Sequence, residues 1–137
     1  MNLAESLANK FPMSEDSIRT LMKQLFTGVY YLHSHRLIHR DIKLTNLLLK
    51  DGVLKIADFG LARFYDLKPR DYTPEVETLS YRAPELLLGV KKYSCSVDIW
   101  SIGCVLGELY LKMPLFQGDC NIGQLFKIFE YDNDIDF

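Results

Sequence analysis

Four residues of the types that handle phosphate and metal ions lie in one short stretch of the sequence. Asp41, Lys43 and Asn46 fall close together, and Asp58 follows shortly after them. A carboxylate and an amide oxygen held side by side form the hard-oxygen site that suits Mg²⁺. A further carboxylate such as Asp41 can orient an incoming hydroxyl or accept its proton, and a lysine supplies positive charge to a transferring phosphoryl group. These residue types indicate phosphoryl transfer.

A predicted β-hairpin explains how Asn46 and Asp58 meet. Two apolar runs, at residues 47–49 and 53–56, flank the dipeptide Asp51-Gly52, a pattern typical of a tight hairpin turn. Asn46 lies just before the first strand and Asp58 just after the second. Both therefore belong at the open end of one ladder, whose strands lie about 4.8 Å apart. Asp41 lies on the loop that enters the same end.

Helices are predicted on both sides of this hairpin. Ser14 is a good N-cap for a helix whose apolar residues recur at helical spacing and whose end is marked by His33, His35 and Arg36. The apolar positions of this helix are Ile18, Leu21, Met22, Leu25, Phe26, Val29 and Tyr30. Residues 2–8, 84–88 and 122–129 are predicted as further helices, and residues 57–78 as a long loop. Residues 97–111 are apolar nearly all round, which predicts a helix buried on all sides.

Composition narrows the function classes. The chain has 137 residues, enough for one domain, and a net charge of -2 that gives no reason to expect nucleic-acid binding. No apolar stretch is long enough for a membrane span, and no secretory signal is recognised at the start. Cys95, Cys104 and Cys120 form no CxxC pair, which favours reduced thiols and an intracellular location, in the nucleus or the cytoplasm.

Two simpler interpretations apply to residues outside the stretch from Asp41 to Asp58. His33 and His35 have the spacing of metal ligands, but a favourable position at a helix C-terminus is the better interpretation. Trp100 and Cys104 are interpreted as packing residues of the apolar helix.

The sequence resembles the protein kinases in three motifs that occur in the expected order. The motifs are His39-Arg40-Asp41 with Lys43 and Asn46, Asp58-Phe59-Gly60, and Ala83-Pro84-Glu85. The run between Asp58 and Glu85 and the segments 97–104 and 114–118 are similar to the cyclin-dependent branch of the serine/threonine kinases. The resemblance covers nearly the whole chain, with only the tail from about Tyr131 unrelated.

The resemblance implies a mainly α fold with a small β-hairpin, namely the large C-terminal lobe of the kinase fold. Residues 1–137 are then a partial kinase domain, truncated at both ends and without the N-terminal lobe. The Gly-rich loop, the ATP-contacting lysine and its glutamate partner would belong to that missing lobe.

The resemblance also implies the cofactors ATP and Mg²⁺ and a role for each residue of the first group. Asp41 would be the catalytic base, and Lys43 would contact the transferred phosphate. Asn46 and Asp58 would hold the magnesium ions, and Leu48 would form the apolar floor beneath adenine.

Further roles concern activation and substrate choice. Thr73 would be the activation phosphosite, with Arg40 and Arg63 among its basic partners. Thr78 would brace Asp41 and Lys43, while Arg82 would shape the pocket beside the phosphoacceptor. This pocket implies protein substrates with Ser/Thr-Pro sequences, and the branch implies a cyclin partner for a complete protein.

Departures from the family pattern leave alternatives open. Ser80 stands where close relatives usually have tryptophan, and Glu77 where they usually have an apolar residue, which puts the geometry of the substrate pocket in doubt. A catalytically inactive lobe that acts as a binding module is one alternative, and an incomplete gene product is another. Small-molecule phosphotransferases share the Asp–Asn–Asp arrangement but lack the third motif. Finally, the resemblance predicts that Asp98 ties the apolar helix to the backbone of the catalytic loop.

Overall fold

The computed structural model describes residues 1–8, 13–64 and 78–133. Its elements are α1 (Leu3–Ala8), α2 (Glu15–Ser34), β1 (Leu37–Ile38), β2 (Leu47–Lys50), β3 (Val53–Ile56), β4 (Arg63–Phe64), α3 (Pro84–Leu87), α4 (Ser96–Leu111) and α5 (Asn121–Asn133). The described part is mainly helical with two small antiparallel pairs of strands, which confirms the predicted fold class. None of its helices has both the length and the apolar character needed to cross a membrane.

Helix α2 begins where the sequence predicts. The Ser14 hydroxyl accepts a hydrogen bond from the Ser17 backbone N–H at 3.2 Å, as expected of an N-cap. The apolar residues of α2 divide into two groups. Five are buried, namely Ile18, Leu21, Met22, Leu25 and Val29. Phe26 and Tyr30, however, are 47% and 75% exposed, so helical spacing alone does not determine which apolar residues of α2 are buried.

The predicted hairpin is present as β2 and β3, with the pairs Leu47–Ile56 and Leu49–Leu54 in antiparallel register. Its turn places Asp51 and Gly52 at φ angles of 52° and 76°, the positive values that a two-residue type I′ turn requires.

Helix α1 packs beside this hairpin. Asn2 caps the helix, because its Oδ1 accepts from the Glu5 N–H at 2.8 Å while Glu5 accepts from the Asn2 N–H at 3.0 Å. Asn2 also bridges to Leu48, and the Leu49 N–H donates to the Met1 carbonyl at 2.9 Å. The free edge of β2 is thereby covered by the first residues of the chain.

Helix α4 lies at the centre of the packing but is not buried on all sides. Ile102, Val105 and Leu109 join the core that α2 and the hairpin share, and Cys104 joins a second cluster with Phe116. A third face carries Ile99, Gly103, Leu106 and Tyr110, and all four are exposed. The prediction of all-round burial is therefore wrong, because apolar composition does not determine which neighbours a helix face has.

The loop predicted after the hairpin contains one more short strand. Arg63–Phe64 (β4) pairs antiparallel with Leu37–Ile38 (β1), so the segment after Asp58 is tied to the segment before the catalytic loop. Strands of two residues lack a periodic pattern, which is why the sequence did not reveal this pair. Residues 65–77, which follow, lie outside the described residues.

Candidate active site

The open end of the hairpin brings Asn46 and the segment before Asp58 together. The Ala57 N–H donates to the Asn46 carbonyl at 2.9 Å, which extends the ladder by one step beyond the Leu47–Ile56 pair. Asp58 follows directly with φ = 62°, and its Oδ1 accepts from the Gly60 N–H at 3.2 Å. The predicted juxtaposition at this end of the ladder is confirmed for the backbone. Asn46 is buried, whereas Asp58 is exposed to solvent.

Asp41, Lys43 and Asn46 form one connected polar cluster. The Lys43 ammonium lies 2.9 Å from the Asp41 Oδ2 atom, and the Asn46 amide nitrogen donates to the same oxygen at 2.8 Å. A second bond runs from that nitrogen to the Asp41 backbone carbonyl at 2.9 Å. The cluster fixes the orientation of the Asp41 carboxylate, a requirement for a group that must meet a substrate hydroxyl.

These bonds also fix how Asn46 presents its oxygen. Both acceptors on Asp41 face the amide nitrogen, so the Oδ1 atom of Asn46 is directed away from Asp41. An amide oxygen and an exposed carboxylate, carried at the same end of one ladder, are the kinds of donor that Mg²⁺ prefers. The arrangement of Asn46 and Asp58 therefore fits a magnesium ion.

The loop that carries Asp41, predicted to be the catalytic loop, is anchored by a buried carboxylate on α4. Asp98 has 0% exposure and accepts three hydrogen bonds. Its donors are the backbone N–H groups of His39 at 2.9 Å and Arg40 at 2.8 Å, and the His33 ring at 2.8 Å. The predicted tie between α4 and the catalytic loop is confirmed. The bond from His33 was not anticipated, since the sequence placed that residue at a helix end.

His39 is a buried element of the loop. Its ring lies 3.0 Å from the Ala57 carbonyl, and its other ring nitrogen accepts from the Asp41 N–H at 3.3 Å. Phe59 meets the ring edge-on at a centroid distance of 4.9 Å. Burial lowers the pKa of His39 below its ordinary value, with nearby Asp98 opposing the shift. A neutral imidazole thus connects the Asp41 loop to the segment that carries Asp58.

The activation residues are only partly within the described chain. Thr73 and Glu77 lie outside the described residues. The Arg40 guanidinium lies 6.0 Å from the Tyr93 ring centroid, and the exposed Arg63 donates to the Ala62 carbonyl at 2.8 Å. Pairing of these arginines with Thr73 remains a prediction.

A cleft beside Asp41 contains the residues predicted to meet the substrate. Thr78, Tyr81 and Arg82 line it together with Asp41. Thr78 is exposed, and Ser80 is half-buried. The role of Thr78 in bracing Asp41 and Lys43 remains a prediction.

Tyr81 attaches the cleft to α4, a contact that the sequence did not reveal. The Tyr81 hydroxyl hydrogen-bonds the Glu108 carboxylate, and the Ser101 hydroxyl donates to the Tyr81 carbonyl at 2.8 Å. Burial raises the pKa of both Tyr81 and Glu108, and their mutual hydrogen bond also contributes to the rise for Tyr81.

Other predicted site positions have mixed outcomes. Leu48 lies on β2 and is 41% exposed, as an apolar surface open to a ligand would be. Within residues 1–8, 13–64 and 78–133, no group of three or more His, Cys, Asp or Glu side chains is arranged to hold a metal. Trp100 packs against Phe116 with stacked rings, and Cys104 is buried, as predicted.

Comparisons with known proteins agree in matching this chain to protein kinases. Residues 1–136 match the protein kinase domain family. Cyclin-dependent kinase 11B of Mus musculus is 53% identical over 122 residues, which cover 88% of this chain and 16% of that protein. Cyclin-dependent kinase 2 of Caenorhabditis elegans is 53% identical over 114 residues, which cover 82% and 31%.

A solved structure shows the same fold. The yeast RNA Pol II CTD kinase CTDK-1 complex contains a chain that aligns with a TM-score of 0.86 at 45% identity. The alignment covers 94% of this chain and 43% of that one. The chain thus spans less than half the length of the proteins it matches here.

Proposed function

Because the chain belongs to the protein kinase family and the relatives it matches are cyclin-dependent kinases, we propose that it carries the phosphoryl-transfer site of a serine/threonine kinase. The observation that carries this proposal is the polar cluster at the open end of the hairpin. There Asp41 is oriented by Lys43 and Asn46, and Asp58 lies on the neighbouring strand end.

Asp41 is the group that meets the substrate hydroxyl. Its carboxylate is held by two side chains and lines the same cleft as Thr78 and Arg82. It would orient the hydroxyl and accept its proton as the hydroxyl oxygen bonds to the γ-phosphorus of ATP, while the bond from that phosphorus to the β–γ bridging oxygen breaks and ADP leaves. The Lys43 ammonium, which contacts the Asp41 carboxylate, would place positive charge where the transferred phosphoryl group carries negative charge.

Asn46 and Asp58 are the proposed ligands of Mg²⁺, and ATP is the proposed phosphate donor. Magnesium supplies charge neutralisation of the phosphates when it is bound. Asn46 offers its amide oxygen and Asp58 its carboxylate, while the exposed Leu48 offers an apolar surface to the adenine ring.

The resemblance to the same family is also the basis for proposals on regulation and substrate choice. We propose Thr73 as the activation phosphosite, paired with Arg40 and Arg63, since a phosphate accepts strong hydrogen bonds from guanidinium groups. The cleft at Thr78 and Arg82 is proposed to select Ser/Thr-Pro substrates. A cyclin is the proposed partner of a complete protein.

Calorimetry with Mg-ATP on the Asp41→Asn and Asp58→Asn variants tests the assigned roles. Asp58→Asn is expected to weaken nucleotide binding, because it replaces a charged metal ligand with a neutral amide. Asp41→Asn is expected to retain binding, because Asp41 faces the hydroxyl. Asp119→Asn, at an exposed position on the loop before α5, is the matched control. Equal losses of affinity in the two site variants would contradict the assignment.

Transfer of radiolabelled phosphate to a Ser-Pro peptide tests the reaction itself. The 137-residue polypeptide alone is expected to show little turnover, because Leu48 and Asp41 cover only one side of the nucleotide and positioning dominates this chemistry. A longer form carrying the family's Gly-rich loop is expected to turn over and to lose activity with Asp41→Asn. Nucleotide binding without transfer in both forms would favour the binding-module alternative.

A further inference from the structure

The side chain of Gln24 on α2 contacts the hairpin at two backbone atoms. Its Nε2 donates to the Gly52 carbonyl at 3.0 Å, and its Oε1 accepts from the Leu54 N–H at 2.8 Å. These residues are 28 and 30 positions away in sequence, so the contact joins two distant parts of the fold. One donor and one acceptor on a single side chain thus match the backbone pattern of a strand edge.

This contact completes a hairpin that would otherwise be weak. Two strands of four residues form a marginal structure by themselves, and each has an outer edge of unpaired backbone groups. Leu49 and Leu54 are paired residues whose N–H groups point outward. The Leu49 N–H donates to the Met1 carbonyl on one edge, and the Leu54 N–H donates to Gln24 on the other. The Gln24 amide therefore forms hydrogen bonds with the outer edge of β3 that a neighbouring strand would otherwise form.

A second contact shows that β3 runs along α2 in register with it. A Cβ placed on Gly28 would lie 3.0 Å from the Ile56 Cδ1 atom, so the strand approaches the helix closely there. Four residues of helix rise about 6 Å and two residues of strand about 6.6 Å. Gln24 with Leu54 and Gly28 with Ile56 are thus matched contact points, and Asp58 lies two residues beyond the second.

From these contacts we infer that Gln24 is a positioning residue for the Asn46–Asp58 pair. Its amide fixes the hairpin on α2, and the hairpin in turn sets where the two proposed metal ligands lie relative to Asp41. The inference rests on the proposed function for the metal, but its structural part can be measured separately. Groups hydrogen-bonded directly to metal ligands typically influence metal affinity about 10- to 100-fold. Because Gln24 acts through the hairpin and bonds Gly52 and Leu54, we expect an effect at the lower end of that range.

The test compares four variants of the full chain. Gln24→Met keeps the length of the side chain and removes both hydrogen bonds, while Gln24→Glu keeps an acceptor for the Leu54 N–H. Lys23→Met, at the exposed neighbouring position, controls for the change of residue type. Phe116→Leu destabilises the second cluster, away from the hairpin, and controls for a general loss of stability.

Two measurements are made on each variant. Paramagnetic broadening of the Asn46 side-chain amide by Mn²⁺ with ATP reports on the metal site. Amide hydrogen exchange at Ala57, whose N–H bonds the Asn46 carbonyl, reports on the open end of the hairpin. Gln24→Met is expected to raise the Mn²⁺ midpoint and the Ala57 exchange rate each about tenfold. Both quantities should have intermediate values in Gln24→Glu, between those of Gln24→Met and the wild type. The two control variants should change neither the Mn²⁺ midpoint nor the Ala57 exchange rate by more than about twofold.

The outcomes separate this inference from the proposed function. Broadening of Asn46 in the wild type with an unchanged midpoint in Gln24→Met overturns the inference and leaves the metal assignment standing. No broadening in the wild type contradicts the metal assignment, and Ala57 exchange then decides the positioning of the hairpin end. Equal acceleration of Ala57 exchange in Gln24→Met and Phe116→Leu would reduce Gln24 to an ordinary stabilising residue and overturn the inference.

Discussion

Replacing Asp98 by asparagine should destabilise the chain strongly although the side chain keeps its size. The Oδ2 atom accepts from His39 and His33, and the Oδ1 atom accepts from Arg40. The asparagine can place its single oxygen where it serves the first two donors. Its NH₂ group then faces the Arg40 N–H, and two donors confront each other in the interior.

The magnitude follows from what is lost at this site. A buried donor left unsatisfied costs about 1–3 kcal/mol, and hydrogen bonds to a charged acceptor are stronger than those to a neutral one. We expect a loss of about 3 kcal/mol in the free energy of unfolding for Asp98→Asn. Asp98→Ala, which removes every acceptor, should cost about 4 kcal/mol. At about 4 °C per kcal/mol for a chain of this size, the asparagine variant should melt about 12 °C lower.

Urea unfolding followed by circular dichroism measures this quantity. The dependence of the unfolding free energy on urea should keep its slope while the midpoint falls. Asp119→Asn makes the same chemical change at an exposed position and should leave the free energy of unfolding unchanged within about 0.5 kcal/mol. A loss below about 1 kcal/mol for Asp98→Asn would refute the reasoning. It would mean that the desolvation cost of the buried carboxylate cancels its hydrogen bonds.

Three further predictions concern Gly118, the cysteines and His39. Gly118→Ala should destabilise the chain by about 2 kcal/mol or more in urea unfolding, because its Cβ would collide with the Gln124 backbone; full stability would contradict this close approach. Cys120 is exposed, whereas burial raises the pKa of Cys104 to about 12, so a disulfide reagent at pH 8 should modify Cys120 in the native chain and Cys104 only after unfolding. Burial lowers the pKa of His39, so its stabilising contribution is present above about pH 6.5 and is lost as the pH falls below that value. Imidazole ¹⁵N NMR should find His39 neutral at pH 6.5, and a half-protonated ring there would exclude the shift.

Local patterns predicted the site better than they predicted burial. The hairpin was recognised because Asp51-Gly52 can adopt the positive φ angles that the turn requires, and its flanking residues then placed Asn46 at the open end. The N-cap at Ser14 was recognised for the same reason, since a cap depends on only a few neighbouring residues. Both signals act over a distance of a few residues and need no knowledge of the tertiary fold.

Local patterns did not predict which side chains are buried. Phe26 and Tyr30 follow the helical spacing of the core residues of α2, yet both are exposed. Periodicity identifies a continuous apolar stripe, but the width of the buried part depends on the shape of the elements packed against it. The same limit explains α4, where Leu106 is as apolar as Val105 and lies on the exposed face.

Long-range polar contacts were also beyond the sequence. Gln24 with Leu54, Tyr81 with Glu108 and His33 with Asp98 join positions 27 to 65 residues apart. Glutamine, tyrosine and histidine are common on helix surfaces, so the residue type at one position does not predict such a contact. Only Asp98 was anticipated, because a family resemblance supplied the information that the local pattern lacked.

These contacts attach the two halves of the site to different helices. The Asp41 loop is held by Asp98 on α4, and the hairpin that carries Asn46 is held by Gln24 on α2. The two helices meet in one core, where residues such as Leu25 and Ile102 are almost fully buried. Asn46 is bonded directly to Asp41, whereas the position of Asp58, the second proposed metal ligand, relative to Asp41 depends on how the two helices pack.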